Sequence, residues 1–403
     1  NERVGRSCEP SSDRAWRTFP VRLSVGSDRH ALDLRGEMGG FFWVGSALVV
    51  VAIAVVIAAY MPRKSAEPDS CIIKVLDANG VDLGEINSSN VSTSGRFKYY
   101  DNQGIIATAD TACASHNQIL YRYMSEEGRH FLWPAHRIGE IVEVQKIDAP
   151  FTDKPVTLEV LSSQPKVFLL KNFFSSEEAE YLIARATDPR NPYRLRNSTT
   201  GVEDWNNGGV DSFSRTRTSE NAFDIDSPVA KRIFKRAHEL LRMKFDMCQA
   251  DGLQIVRYSP RQAYNNHYDY FHVGEATQQG EFNFDPKRGG SNRFATIFLY
   301  LSDVELGGQT IFPLADEVSR PVDATIPEQI ETLFPSDSWQ YKMAKDCYKK
   351  FSVEPTQLSA VLFYNQDSNG NLDSRSLHGG CPVISGTKWA ANLWVWNSCR
   401  YGM

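Results

Sequence analysis

The pattern of apolar and polar residues separates one long apolar run from a series of short ones. Residues 41–61 form 21 consecutive positions without a charged side chain. A helix of that length rises about 30 Å, the thickness of the hydrocarbon core of a bilayer. A soluble helix as long as this would normally keep a polar face. We therefore predict a single transmembrane signal anchor at 41–61, because the rest of the chain has no comparable run.

Basic residues flank this predicted anchor unequally. Seven arginines precede it, whereas only Arg63 and Lys64 follow it closely. Positive residues favour the cytosolic side, so we expect residues 1–40 in the cytosol. The bulk of the chain is then lumenal, in the endoplasmic reticulum or Golgi, as in a type II single-pass protein. Two alternatives stay open: Met38 is the initiator and the residues before it are untranslated, or the run is a cleaved signal peptide.

Sequons and cysteines agree with a lumenal position. Acceptor triplets for N-glycosylation begin at Asn87, Asn90 and Asn197. An even set of cysteines follows the predicted anchor: Cys71, Cys113, Cys248, Cys347, Cys381 and Cys399. Such a set permits disulfides without fixing their pairing, and no Cys or His spacing suggests zinc.

Short apolar runs after the anchor predict two regions. Residues 62–156 comprise a polar linker (62–70) and a small β-rich region of unknown role, with hairpin signals around 79–80 and 102–104. Residues 157–403 contain a predicted helix that starts after Ser175, with Glu178 completing a capping box. A second helix is predicted at 227–243.

Strand patterns dominate the remainder of this second region. Apolar runs predict strands at 253–259, 293–301, 359–365 and 388–396, with long polar insertions at 274–292 and 314–345. Two helices followed by many short strands indicate an α+β, mainly β, domain. We expect an antiparallel barrel or sandwich with helices on one side.

Composition and charge exclude several classes of protein. The chain has 403 residues, of which 41% are hydrophobic and 23% charged, which excludes a mainly disordered chain and a small disulfide scaffold. The formal net charge of −5 provides no positive field for nucleic acid, so we expect no nucleic-acid partner.

Candidate chemistry lies in two distant motifs. His267 and Asp269 follow a predicted strand, where residues two apart point to the same side. His378 lies in the sequence SLHGGCP, 109 residues after Asp269. Two histidines and one carboxylate form the facial triad of non-haem Fe(II) oxygenases, which leaves positions open for a chelating co-substrate and O2. The alternative for the first pair is a hydrogen bond at a strand end.

Lys388 provides a third candidate. It begins an apolar, aromatic-rich strand, where a buried cation needs an anionic partner. That partner is either an Asp or Glu side chain or the distal carboxylate of 2-oxoglutarate.

These motifs, taken in order, resemble a known family. The segments 255–271, 292–313 and 376–395 are similar to the sequence blocks of prolyl 4-hydroxylases of the membrane-anchored type. The segment 160–183 resembles the family's first strand and helix, and 215–223 its Arg-Thr-Ser loop. The resemblance covers about 157–400 and does not extend to 1–150.

The resemblance implies a double-stranded β-helix (jelly-roll) core with flanking helices, and it implies roles for single residues. The implied iron ligands are His267, Asp269 and His378. The 2-oxoglutarate ligands would be Lys388, Tyr258 and Thr310. The residues that line the channel for the reacting peptide would be Tyr264, Arg293 and Trp394. The implied cofactors are Fe(II), 2-oxoglutarate as co-substrate and ascorbate as reductant.

The expected activity is hydroxylation of peptidyl proline in proteins of the secretory pathway, with release of succinate and CO2. The partner would be a proline-rich peptide or protein; the sequence does not indicate an oligomeric state. Two alternatives remain: the same oxygenase acts on another side chain or a small molecule, or a membrane-tethered binding protein uses an inactive oxygenase fold. The two insertions differ from the family pattern and lie where they could alter the substrate channel.

Overall fold

A computed structural model of the chain describes residues 72–76, 82–87, 97–101, 120–126, 129–198, 216–274, 276–277, 280–316, 318, 324–367 and 369–400. The anchor predicted at 41–61, the linker 62–70, Cys71 and Cys113 lie outside these ranges. Within them, no helix combines the length and apolar character needed to cross a bilayer.

A small sheet forms the N-terminal part of the described chain. Its strands are β1 (Ile72–Leu76), β2 (Asp82–Asn87), β3 (Phe97–Tyr100) and β4 (Leu120–Glu126), in the order β2-β1-β4-β3. β1 and β2 are antiparallel, as the hairpin signal around 79–80 predicts. β3 pairs with β4. This partner strand does not directly follow the turn predicted at 102–104.

A nine-stranded antiparallel sheet, the major sheet, carries most of the domain. Its order is β5-β6-β7-β18-β14-β21-β10-β9-β8. In chain order the strands are β5 (Ile141–Glu143), β6 (Thr157–Ser162), β7 (Val167–Lys171), β8 (Arg196–Asn197), β9 (Glu220–Asp224), β10 (Leu253–Tyr258), β14 (Arg293–Tyr300), β18 (Ser359–Tyr364) and β21 (Lys388–Trp396). The four strands predicted at 253–396 are therefore all present.

A four-stranded minor sheet packs against the major sheet. It consists of β11 (Tyr264–His267), β16 (Thr310–Ile311), β17 (Ser352–Val353) and β19 (His378–Gly380), in the order β11-β19-β16-β17. Two further pairs are β12 (Ala276–Thr277) with β13 (Gly280–Glu281) and β15 (Leu306–Gly307) with β20 (Val383–Ser385). The predicted mainly β domain with flanking helices is confirmed.

Alternation along the central strands produces two apolar layers. On β14, Ala295, Ile297 and Leu299 face a large core cluster that also contains the helices. Phe298 and Tyr300 face a second cluster, which they share with Val383 and with Phe312 and Phe351, two residues that adjoin strands of the minor sheet. Because strand residues alternate between faces, this period of two separates the side that packs on helices from the side that can carry a site.

Four α-helices flank the sheets within the ranges that the structure describes. They are α1 (Ser176–Thr187), α2 (Pro228–Leu240), α3 (Gln329–Leu333) and α4 (Trp339–Lys349). Ser175 accepts a hydrogen bond from the Glu178 backbone, and the Glu178 carboxylate accepts one in return from Ser175, which is the predicted capping box. Ser227 caps α2, which ends at Leu240 and not at 243 as expected.

The insertion expected at 314–345 is more than a polar loop. It contains α3 and the start of α4, and their residues Ile330, Phe334 and Ala344 form a small core with Ile384. Cys347 of α4 forms a disulfide with Cys381, next to β19, so this insertion is covalently tied to the minor sheet. A second disulfide joins Cys248 to Cys399.

The core of the C-terminal region also reaches further toward the N-terminus than the boundary expected at 157. β5 pairs with β6 in the major sheet, and Phe131, Trp133 and Val144 are buried in its main core. Trp133 donates a hydrogen bond to the Leu240 carbonyl at the end of α2. Residues 129–156 are therefore part of this packed unit.

Candidate active site

Three polar side chains converge where β11 ends and β19 begins. His267 ends β11, His378 begins β19, and the two residues are register partners. Asp269 lies just beyond β11, so a turn and not a continuous strand brings it back toward His267. His267 Nε2 lies 3.6 Å from Asp269 Oδ1, and His378 Nε2 lies 3.5 Å from Asp269 Oδ2. The three donor atoms lie within 4.8 Å of one another, as metal ligands must.

Both histidines present the nitrogen that a metal needs. His267 Nδ1 donates to the Asn265 carbonyl at 2.8 Å, and His378 Nδ1 donates to the Ser376 carbonyl at 2.9 Å. A carbonyl only accepts, so the proton of each neutral ring sits on Nδ1 and the Nε2 lone pair points to the centre.

Electrostatics keep the triad in its metal-binding form. Burial and then the neighbouring His378 lower the pKa of His267 to about 3, so the ring is neutral near pH 7. Burial raises the pKa of Asp269, but the two histidines, Arg293 and the Thr296 hydroxyl outweigh it, and the pKa falls below its ordinary value. Neutral imidazole and ionised carboxylate are the ligand forms that suit Fe(II).

A small inner cavity opens beside the triad. Tyr258, Phe298, Thr310, Asn392 and both triad histidines are among its lining residues. Thr310 is buried, and its hydroxyl accepts a 2.7 Å hydrogen bond from Tyr300. The predicted residues Tyr258 and Thr310 therefore share one cavity with two of the candidate metal ligands.

Lys388 lies beside two aromatic residues that line this cavity, Phe298 and Tyr258. Its ammonium is 5.0 Å from the Phe298 ring centre and 5.5 Å from that of Tyr258, and it donates to the Gly308 carbonyl at 2.7 Å. The side chain is 1% exposed, and no carboxylate of the described residues forms an ion pair with it. Burial lowers the pKa of Lys388 to about 7, although Glu354 opposes this shift. Within the part of the chain that the structure describes, Lys388 therefore has no ion-paired carboxylate, and its ammonium is suited to a ligand carboxylate.

An outer groove continues from the triad toward solvent. Tyr264, Arg293 and Trp394, the three residues predicted to line the peptide channel, all line this groove. Arg293 Cζ lies 3.8 Å from the Trp394 ring centre, and its guanidinium donates to the Asp269 carbonyl at 3.1 Å. His267, Tyr264 and Asn392 border both spaces, so the triad sits where cavity and groove meet.

Sequence reasoning missed several polar residues of this site. Asp251 accepts hydrogen bonds from Arg293, Trp396 and Arg400 at 2.9 to 3.1 Å. Gln254 accepts from Arg217 of the predicted Arg-Thr-Ser loop and from Asn392. Gln254 and Asn392 are polar positions within apolar strands, which is a signal that could have identified them.

Comparison with known proteins agrees with this geometry. Residues 253–396 match the profile of the 2OG-Fe(II) oxygenase superfamily. The chain is 38% identical over 240 residues to probable prolyl 4-hydroxylase 3 of Arabidopsis thaliana, covering 59% of this chain and 71% of that protein. It is 33% identical over 277 residues to prolyl 4-hydroxylase 1 of the same plant, covering 68% and 80%.

Among solved structures, the chain shows a similarity to the viral collagen prolyl hydroxylase of Paramecium bursaria Chlorella virus-1. That match has a TM-score of 0.35 at 21% identity and covers 57% of this chain and 95% of the viral one.

Proposed function

The chain belongs to the prolyl 4-hydroxylase family, and we propose that it hydroxylates peptidyl proline as an Fe(II)- and 2-oxoglutarate-dependent dioxygenase. The observation that carries the proposal is the buried triad of His267, Asp269 and His378 beside Lys388, a buried cation without a carboxylate partner among the described residues. A pseudoenzyme would not need to retain either feature.

The donor set fits the cofactors. His267, Asp269 and His378 would hold Fe(II), and Lys388 would bind the distal carboxylate of 2-oxoglutarate with Tyr258 and Thr310 beside it. When bound, Fe(II) with 2-oxoglutarate supplies O2 activation and C–H hydroxylation, with succinate and CO2 as co-products and ascorbate as the proposed reductant. Fixing the co-substrate at its far end orients it before chemistry.

The outer groove supports a peptide substrate. Aromatic side chains line it, including Tyr264, Tyr268 and Trp394. Proline-rich peptides are pre-extended and dock on aromatic grooves at little entropic cost. Arg293, held by Asp251 and stacked on Trp394, fixes the shape of the wall next to Asp269.

Replacing Trp394 with alanine should weaken peptide use without affecting the co-substrate. Loss of a buried aromatic wall typically costs more than about 1.4 kcal/mol, so we expect KM for a proline-rich peptide to rise tenfold or more. KM for 2-oxoglutarate should stay within twofold, and Trp394→Phe should retain most of the affinity. Equal increases in both KM values would show that Trp394 supports the fold and not the groove.

The affinity for 2-oxoglutarate should decrease as the pH rises. With a pKa of about 7, Lys388 is largely neutral at pH 8.5, so binding of the dianion must take up a proton. KM for 2-oxoglutarate should then rise toward tenfold per pH unit above pH 7. Calorimetry in two buffers of different ionisation enthalpy should show an uptake of nearly one proton at pH 8.5 and almost none at pH 6. Absence of uptake at pH 8.5 would contradict this role of Lys388.

The substrate class is tested by product analysis. The protein, with Fe(II), ascorbate and 2-oxoglutarate, is offered matched peptides that differ in having proline or lysine at one position. We expect one added oxygen, assigned by mass spectrometry to proline. Oxidation of lysine, or succinate formation without peptide oxidation, would retain the oxygenase and exclude proline as the target.

The location of the protein is also part of the proposal. The uncharged run 41–61 and the excess of arginines before it support a type II anchor with the catalytic domain in the endoplasmic reticulum or Golgi lumen. The disulfides Cys248–Cys399 and Cys347–Cys381 suit an oxidising compartment. Protease added to intact microsomes should leave the catalytic domain uncut until detergent is present; digestion without detergent would exclude the lumenal orientation.

A further inference from the structure

The two histidines and the carboxylate of the triad are oriented by different kinds of partner. Main-chain carbonyls of Asn265 and Ser376 fix the two imidazole rings. The carboxylate of Asp269 is held by a side chain, because Thr296 Oγ1 donates to Asp269 Oδ2 at 2.8 Å. This is the single side-chain hydrogen bond to that carboxylate within the described part of the chain. Its orientation therefore depends on one hydroxyl group.

A second buried residue fixes the hydroxyl of Thr296. Asn365, which directly follows β18, donates from Nδ2 to Thr296 Oγ1 at 3.1 Å. An ionised carboxylate can only accept, so a hydroxyl that accepts from Asn365 must turn its proton toward Asp269. The Asn365 backbone is held in turn, since its N–H donates to the Phe294 carbonyl at 2.8 Å. The result is a directed relay from Asn365 through Thr296 to Asp269.

Packing alone does not account for this relay. Thr296 and Asn365 are both 0% exposed. The cross-strand neighbours of Thr296 are Phe363 and Trp394, which an aliphatic side chain would also suit. The Asn365 Oδ1 atom has no hydrogen-bond partner among the described residues, and a buried polar atom left in this way costs free energy. The relay thus costs stability at a position that touches a candidate metal ligand.

We propose that Thr296 and Asn365 are positioning residues that hold the Asp269 carboxylate in the orientation needed to bind Fe(II). The inference rests on the proposed function, because it assigns the role of Asp269 as a ligand. The backbone of the same residue is already fixed by Arg293, so side-chain rotation is the freedom that the relay removes. Neither residue touches the substrate or the reacting atoms in this assignment.

Metal affinity tests the proposal without recourse to turnover. Apoprotein is titrated with Mn(II), and free Mn(II) is measured by its EPR signal. Loss of a group that orients a ligand typically weakens metal binding about 10- to 100-fold, and we expect Thr296→Val to fall in that range. Thr296→Ser keeps the hydroxyl and should stay within about threefold of the parent protein. A Thr296→Val protein that binds Mn(II) within twofold of the parent would overturn the proposal.

A second variant separates positioning from folding. Thr296→Val leaves Asn365 without its partner, so thermal unfolding of the apoprotein is measured beside each titration. If Thr296→Val does not fold, Asn365→Ala tests the proposal instead, because it keeps the Thr296 hydroxyl but lets that hydroxyl rotate. Unchanged Mn(II) affinity in Asn365→Ala would also overturn the proposal. His267→Ala distinguishes a failure of the proposed function from a failure of the positioning role alone. If it binds Mn(II) as tightly as the parent, the triad and the proposed function fail, whereas a failure confined to Thr296→Val removes only the positioning role.

Discussion

Replacing Lys388 with methionine is expected to abolish turnover of 2-oxoglutarate and at the same time make the free protein more resistant to heat. Methionine is unbranched and of similar length, and it suits a site between the rings of Tyr258, Phe298 and Tyr300. The variant loses the cation for the distal carboxylate. Removing a buried charge from a ligand pair costs about 3 kcal/mol or more, so KM for 2-oxoglutarate should rise at least 100-fold.

The stability gain follows from the lowered pKa of this lysine. The unfolded chain holds the proton up to about pH 10.5, whereas the folded chain releases it near pH 7. Below pH 7 both states are protonated and the full penalty is present; between pH 7 and 10.5 the stability of the parent protein rises with pH. At about 1.4 kcal/mol per pKa unit, the penalty at pH 7 is about 4 kcal/mol, and loss of the Gly308 hydrogen bond offsets about 1 kcal/mol of the gain. We expect Tm to rise by roughly 5–10 °C at pH 7.

Calorimetry of the apoproteins and 2-oxoglutarate kinetics measure both effects. Lys231→Met, at an exposed position of α2, is the matched control and should change neither quantity. A Lys388→Met protein that melts lower than the parent would show that the lysine is structural. Retained affinity for 2-oxoglutarate would remove it from the co-substrate site.

Replacing His267 with alanine should abolish turnover while leaving the protein folded. The residue lies at the rim of the groove, and the side-chain hydrogen bond that it donates is to the Asn265 carbonyl of the same strand. Losing one of three ligands should reduce turnover by three orders of magnitude or more, because the metal carries the chemistry. Activity with proline peptides and the circular dichroism spectrum are the measurements.

The matched control for this variant is His136→Ala. His136 is exposed and is not among the residues that line the inner cavity or the outer groove. It should keep parental activity and metal content. Comparable activity in the two variants would refute the assignment of His267 as a ligand.

The candidate ligands could be predicted from sequence because their chemistry is written in local motifs. His267 and Asp269 lie two residues apart near a predicted strand, and His378 adjoins a glycine pair. The argument that two strand residues on the same side bring His267 and Asp269 together was only partly right. β11 ends at His267, and Asp269 lies in a turn. Lys388 stood out because a cation at the start of an apolar strand requires a partner.

The residues that support the ligands could not be assigned in this way. Asp251 and Asn365 act through side chains that meet only after strands far apart in sequence have paired. Thr296 had a local signal, since it is the one polar residue between Arg293 and Ser302 that is not aromatic. Its partner Asp269 comes from a segment 27 residues away, and no pattern on β14 alone identifies it.

The fold shows the same division between local and distant information. Local sequence was enough to predict the helix caps and the main strands. The caps predicted at Ser175 and Ser227 agree with the structure. The place of β5 in the major sheet depends on a long-range pairing with β6, so 129–156 did not look like part of the catalytic unit. The helices in the insertion 314–345 pack on Ile384, a contact that the polar composition of the segment concealed.

The most direct test of the proposed activity is the ratio of succinate formed to hydroxyproline formed. The protein is incubated with Fe(II), ascorbate, 2-oxoglutarate and a proline-rich peptide, and both products are quantified beside the His267→Ala and Lys388→Met variants. We predict equal amounts of succinate and hydroxyproline in the parent protein and neither product in the variants. Hydroxyproline formation that persists in His267→Ala, or a folded, iron-loaded parent protein that forms neither product, would contradict the account.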